Sequence, residues 1–136
     1  MPVLDTTFLI DLGRSKRNAN HQAAKARLAE IVGDHRIPCT TRLNIAELWS
    51  GIESAPDRVL AVRRFKTAIR GVSILDFDAA ATRRFGNLDA HLRKVGRPAG
   101  ELDTLIASIC LANGQNIITR NPKHFADVPG LVVETY

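Results

Sequence analysis

The chain of 136 residues has two cysteines, one tryptophan, one tyrosine and one methionine, and its aromatic residues make up only 5%. Each scarcity excludes something. Cys39 and Cys110 sit in separate apolar runs rather than in a CxxC pair, so we expect buried free thiols in a reducing compartment, not a disulfide framework. Aromatics this few and scattered cannot line a sheet that stacks single-stranded bases, which excludes RRM-like and OB-like modes of nucleic-acid binding. No apolar run reaches membrane-spanning length, and Met1-Pro2-Val3-Leu4-Asp5 lacks a basic stretch ahead of a long apolar one, so no membrane partner and a cytoplasmic location are expected. A glycine-rich phosphate loop of the GxxxxGK[ST] kind is also missing.

What remains is an ordinary globular composition, 45% hydrophobic and 24% charged, in a length that suits one domain able to bury its own core. Nineteen Lys and Arg against fourteen Asp and Glu give a net charge of +5. That surplus suits a polyanionic partner, and equally suits plain solubility.

Short apolar runs alternate with helical patterns along the whole chain, with no internal repeat and no dividing linker. Strands are predicted at Pro2-Val3-Leu4, over 36–40, 72–75 and 116–119, and at Leu131-Val132-Val133. Between them lie a helix opened by Thr6 and stopped by Gly13, and a second over 20–32 closed by Gly33. A third is capped by Thr40 or Thr41 and carries the stripe Ile45, Leu48, Trp49 and Ile52. A fourth begins at Pro56. A fifth is capped by Asp78, with Phe85, Leu88, Leu92 and Val95 inward, and is broken at Gly96-Arg97-Pro98-Ala99-Gly100. Residues 104 to 119 carry no charge, so the last helix, Leu102 to Ala112, is apolar nearly all round and should be the buried central one. Strands separated by helices predict an α/β three-layer sandwich, a mainly parallel sheet of four to five strands with helices on both faces.

In such sheets the working site lies beyond the carboxyl ends of the strands, where successive loops converge. Asp5 and Thr119 stand at strand ends, Asp103 opens the apolar helix, and Glu47 lies one turn into the helix after the second strand. The topology can therefore bring three distant carboxylates to one rim. Unneutralised, they would raise one another's pKa values; Mg²⁺ or Mn²⁺, which prefers hard oxygen ligands, would neutralise them. A cation so held can activate water and stabilise charge building on a phosphodiester, which points to hydrolysis of a nucleic-acid backbone. Each acid also has a bland role: Asp5 and Asp103 as helix-start carboxylates, and Glu47 as a solvated residue opposite the apolar stripe.

Four segments together resemble the motifs of PIN-domain ribonucleases, in order and in spacing: Asp5-Thr6-Thr7-Phe8-Leu9-Ile10-Asp11, Ala46-Glu47-Leu48-Trp49-Ser50-Gly51, Leu102-Asp103-Thr104-Leu105-Ile106-Ala107-Ser108, and Ile118-Thr119-Arg120-Asn121-Pro122-Lys123-His124-Phe125. The likeness spans essentially the whole chain and is greatest to the VapC and FitB toxins of type II toxin–antitoxin modules. It implies a divalent-metal endoribonuclease that cuts a structured RNA, tRNA or rRNA, with Mg²⁺ or Mn²⁺ as cofactor. Asp5, Glu47 and Asp103 match the metal ligands; Thr6 and the hydroxyl of Thr119 match supporting positions behind them. The fourth motif departs from the common acidic pattern, with Asn121 and His124 where many relatives carry Asp or Glu. Asn121 offers neutral oxygen but no charge, and Glu101, Asp127 or a water network could compensate, so one tightly held metal is expected and a second only with RNA. Arg120 and Lys123 flank this motif and are expected to contact phosphate.

The resemblance further implies a cognate antitoxin of the VapB or FitA kind that blocks the site, and a homodimer or larger toxin–antitoxin assembly. The contrasting reading is a PIN scaffold that binds RNA or a protein partner without cutting, its metal site weakened at Asn121 and His124. Metal-free cleavage by a pair among His21, His35, His91 and His124 has little support, because no two share a motif. A receiver domain would need an acid like Asp76 in a better place, and a phosphatase of the HAD type needs an aspartate where Thr7 stands.

Overall fold

The computed structural model describes residues 1–96 and 99–136. Arg97 and Pro98 of the expected helix break lie outside the described residues. Five strands, β1 (Val3–Leu4), β2 (Cys39–Thr41), β3 (Ser73–Leu75), β4 (Ile117–Ile118) and β5 (Val133–Glu134), form one sheet in the order β3-β2-β1-β4-β5. Every pairing is parallel, with Val3 opposite both Cys39 and Ile117. Among the described residues six helices connect them: α1 (Thr6–Leu12), α2 (Ala19–Gly33), α3 (Arg42–Glu53), α4 (Arg58–Ala68), α5 (Ala79–Lys94) and α6 (Glu101–Ala112). A 3-10 turn over Pro122–Phe125 precedes β5.

The strands are only two or three residues long, yet each divides its side chains between two cores because successive residues point to opposite faces. Val3, Cys39 and Ile117 pack with Leu88 and Leu92 of α5 and with Ile106, Ala107 and Cys110 of α6. Leu4 and Ile118 pack on the other face with Phe8, Leu9 and Leu12 of α1, Ala24 and Ile31 of α2, and Ala68 of α4. This is the expected three-layer α/β arrangement. α6 is deeply set in it, with Ile106 to Cys110 all buried. Both cysteines are free and buried, and burial pushes the Cys39 thiol up to about 11.

Several boundaries differ from the sequence reading. The second strand spans Cys39–Thr41 rather than 36–40, and the fifth is shifted to Val133–Glu134. Gly33 is the last helical residue of α2; Asp34 caps it, and His35 takes the left-handed conformation at φ 58°. α4 is capped by Asp57, which accepts from the Leu60 N–H. Val95 is 49% exposed rather than inward, since α5 ends at Lys94 and loses its facing register there. At the close of α1, Gly13 approaches α4 so nearly that a Cβ there would lie 3.1 Å from the Arg64 backbone oxygen.

The chain leaves β1 toward β2 on one side and returns to β4 on the other, which makes the β1/β4 boundary the topological switch point. The residues just beyond those two strands are Asp5 and Thr119. Open parallel sheets bind their ligands at this kind of crevice.

Candidate active site

Asp5 occupies the position before α1 but does not cap it; its carboxylate is turned to other elements. Its backbone N–H donates to the Ile118 carbonyl oxygen at 3.0 Å, which ties it to β4. Oδ2 accepts from the Thr119 hydroxyl at 2.7 Å and from Thr7 at 3.3 Å, and Oδ1 accepts from Asn44 Nδ2 at 3.1 Å. Asp5 is therefore 8% exposed and ringed by neutral donors.

Asn44 makes this arrangement possible. It is the third residue of α3 and completes a reciprocal cap with Thr41: the Thr41 hydroxyl accepts from the Asn44 N–H, and Asn44 Oδ1 accepts from the Thr41 N–H. That leaves Nδ2 to donate to Asp5 and to Thr6 Oγ1, the latter at 3.0 Å. Thr6 in turn donates to Glu47 Oε2. One buried amide thus links the starts of two helices to two of the three acids. The capping pattern at Thr41 was visible in the sequence; the second task of Asn44 was not, because spacing along one helix says nothing of contacts across to another.

Glu47 is half-buried rather than solvated, because the side of α3 opposite its apolar stripe meets α1. Burial raises its pKa, the Thr6 hydrogen bond opposes that, Asp5 and Asp103 raise it further, and His124 lowers it. Asp103, in the first turn of α6, is also raised, by burial first; His124 opposes the shift and Asp5 adds to it. His124 Nδ1 lies 3.3 Å from Asp103 Oδ2. Asp5, Glu47 and Asp103 therefore line one rim, where the charges of Asp5 and Asp103 reach Glu47 and that of Asp5 reaches Asp103.

Among the described residues no three His, Cys, Asp or Glu side chains are gathered tightly enough to make a closed metal cage. The donor chemistry nonetheless fits a hard divalent cation: three carboxylates, two of them held above their ordinary range partly by mutual repulsion. An open arrangement suits Mg²⁺ in particular, which keeps several of its own waters.

The remaining expected residues are more dispersed. Asn121 is exposed, and its N–H donates to Thr119 Oγ1 at 3.0 Å. His124, Lys123, Glu101 and Asp127 are exposed near the 3-10 turn or at the start of α6. Arg120 is tethered twice, its N–H donating to Thr7 Oγ1 at 3.1 Å and its Nε lying 3.4 Å from Asp11. A cleft of about 600 Å³ opens beside Glu47 between α1, α3 and α4, with Leu9, Ile10, Ile52, Leu60 and Phe65 in its walls.

The PIN domain family matches residues 3–131, and the chain belongs to that family. Within it the chain resembles the VapC proteins. It is 35% identical over 100 residues to the tRNA(fMet)-specific endonuclease VapC of Shigella flexneri, across 72% of this chain and 74% of that one. Its fold is similar to that in the structure of VapBC2 from Rickettsia felis bound to a DNA fragment from their promoter (TM-score 0.85, 22% identity, 98% of this chain and 97% of that chain). It is also similar to DNA-bound VapBC from Salmonella typhimurium (TM-score 0.81, 26% identity, 99% of this chain and 98% of that chain). Among the described residues no helix is long and apolar enough to cross a membrane.

Proposed function

We propose that this protein is a metal-dependent endoribonuclease, the toxin of a type II toxin–antitoxin module, and that it cleaves a structured RNA such as tRNA or rRNA. The observation that best supports this reading lies at the β1/β4 switch point, where Thr119 and Asn44 orient Asp5 and the charges of Asp5 and Asp103 both raise the pKa of Glu47. Asp5, Glu47 and Asp103 would hold Mg²⁺ or Mn²⁺. Such an ion supplies a lowered pKa for water and an electrostatic sink for charge that builds on the scissile phosphate. Thr119, Thr7 and Asn44 fix the Asp5 carboxylate, and Thr6 fixes Glu47. Asn121 offers a neutral oxygen at the edge, while His124 Nδ1 lies 3.3 Å from Asp103 Oδ2. Arg120 and Lys123 would meet the RNA backbone, with Glu101 and Asp127 as further acids nearby.

The relative from Shigella is named as specific for tRNA(fMet), which makes tRNA the first substrate to try. Similar solved structures include toxin–antitoxin complexes, and the apolar cleft beside Glu47 supports a VapB- or FitA-like antitoxin as partner, since an occupant there would cover the rim. A homodimer in the cytoplasm completes the reading.

The test is incubation of the purified protein with labelled tRNA and rRNA fragments, with Mn²⁺ or with chelator. Fragments should form with Mn²⁺ alone and vanish in Asp5→Ala. Tight binding with no fragments under any metal would instead make it an RNA-holding scaffold, the alternative that the neutral Asn121 favours.

A further inference from the structure

One strongly charged group stands apart from the carboxylate rim. Asp11, at the end of α1, is 0% exposed, and it holds two arginines from opposite ends of the chain. Arg14 Nε lies 3.1 Å from Oδ1 and Arg120 Nε lies 3.4 Å from Oδ2. The Tyr136 hydroxyl also donates to Oδ2, at 2.6 Å. A buried carboxylate needs one cation to neutralise it; here two are supplied, so the group keeps a net positive charge. Both guanidinium-bearing side chains stay open to solvent, 38% exposed for Arg14 and 36% for Arg120. Each is gripped through Nε, which leaves the terminal nitrogens of its planar fork for another ligand.

Position supplies the second argument. Arg120 directly follows Thr119, whose hydroxyl holds Asp5, and Arg14 lines the same cleft as Glu47. The two forks therefore flank the rim, one beside Asp5 and one beside Glu47. Phosphodiester oxygens are the ligand that arginine forks fit best, through paired charge-assisted hydrogen bonds. Pre-orientation by Asp11 removes much of the side-chain entropy that a free arginine loses on binding.

We infer that Arg14 and Arg120, set by the shared carboxylate of Asp11, form a phosphate-binding fork that grips the RNA backbone next to the scissile position. This rests on the ribonuclease reading above and adds Arg14 and Asp11 to it. Asp11 acts through the arginines and is a positioning residue, not a catalytic one.

The experiment is filter binding of labelled tRNA to the full chain in chelator, over a series of salt concentrations. For wild type, the logarithm of affinity should fall linearly with the logarithm of salt. Arg14→Gln and Arg120→Gln should each flatten that slope by about 0.7–0.9, one phosphate contact apiece. Affinity at about 0.1 M salt should drop several-fold in each, roughly as expected for one lost contact. Arg83→Gln on the far helix α5 serves as the control. Arg14→Lys and Arg120→Lys keep the charge but not the fork, so they should retain the slope and still lose several-fold in affinity. They also keep the test open if a glutamine variant folds poorly.

Unchanged slope and affinity in all four variants, in a protein that still cuts tRNA, would overturn the fork and leave the ribonuclease reading standing. Loss of antitoxin affinity with RNA binding intact would assign the fork to an acidic protein segment and overturn it as an RNA subsite. A wild-type protein that neither binds nor cuts RNA would overturn both.

Discussion

Asp5 and Asp11 stand at the two ends of the same helix, both buried, and their surroundings are opposite. Asp5 meets three hydroxyl or amide donors and two neighbouring acids. Asp11 meets two guanidinium groups and a phenol. The protein thus satisfies one carboxylate internally and leaves the other oriented but uncompensated. A carboxylate left in that state is available to an ion from outside, whereas one already paired is part of the scaffold. Burial alone does not separate them; the charge of the neighbours does.

The largest expected effects come from swapping each acid for its amide. Asp5→Asn should abolish tRNA cleavage, by at least about a hundredfold given what a metal contributes to such reactions, while thermal unfolding stays close to wild type. Asp11→Asn should do the reverse in kind: two arginines lose their partner, and stability should fall by about 2 kcal/mol, less than for a fully buried pair because both arginines reach solvent. Melting curves beside cleavage rates check the pair. Equal loss of stability in both variants would erase the distinction.

Asn44→Ala should sit between them. It removes the reciprocal half of the α3 cap and strips a donor from both Asp5 and Thr6, so we expect about 1–2 kcal/mol of lost stability together with reduced cleavage. Differential scanning fluorimetry and the labelled-RNA assay would separate the two consequences.

The smallest effect is a pH dependence. Burial and mutual repulsion hold Glu47 and Asp103 above their unfolded values. For an acid raised in this way the folded state binds protons more tightly than the unfolded state, so metal-free stability should fall as pH rises from the ordinary carboxylate range through the raised values. Glu47→Gln should lessen that fall. Added Mn²⁺ should raise the melting temperature at pH 7 and do so less at pH 5, where protons compete for the same oxygens. An equal rise at both pH values, or none, would count against ion binding at this rim.

Much of this was legible in the sequence. Alternating short apolar runs and helical stretches gave away the parallel sheet, and acids placed at strand ends and helix starts marked the rim. Glu47 was harder, because its position opposite the Ile45–Ile52 stripe suggested solvent. α3 is contacted on two sides, and a single periodicity describes only one of them. Asn44 and Thr7 were missed for a related reason: their partners lie on other elements, and no local pattern encodes a hydrogen bond across 39 or 112 residues. The Asp11 fork joins residues 11, 14, 120 and 136, a grouping that only the folded chain brings together. Strand limits slipped at Cys39–Thr41 and Val133–Glu134 because strands of two or three residues leave little pattern to read.

The centre of the sheet joins residues 3 and 4 to residues 117 and 118. A ribosome making this protein would emit Asp5 early and Thr119 late, and the hydroxyl that orients the aspartate arrives only when nearly all of this sequence has left the exit tunnel. A nascent chain that lacks Thr119 therefore carries its Asp5 carboxylate without the hydroxyl that orients it.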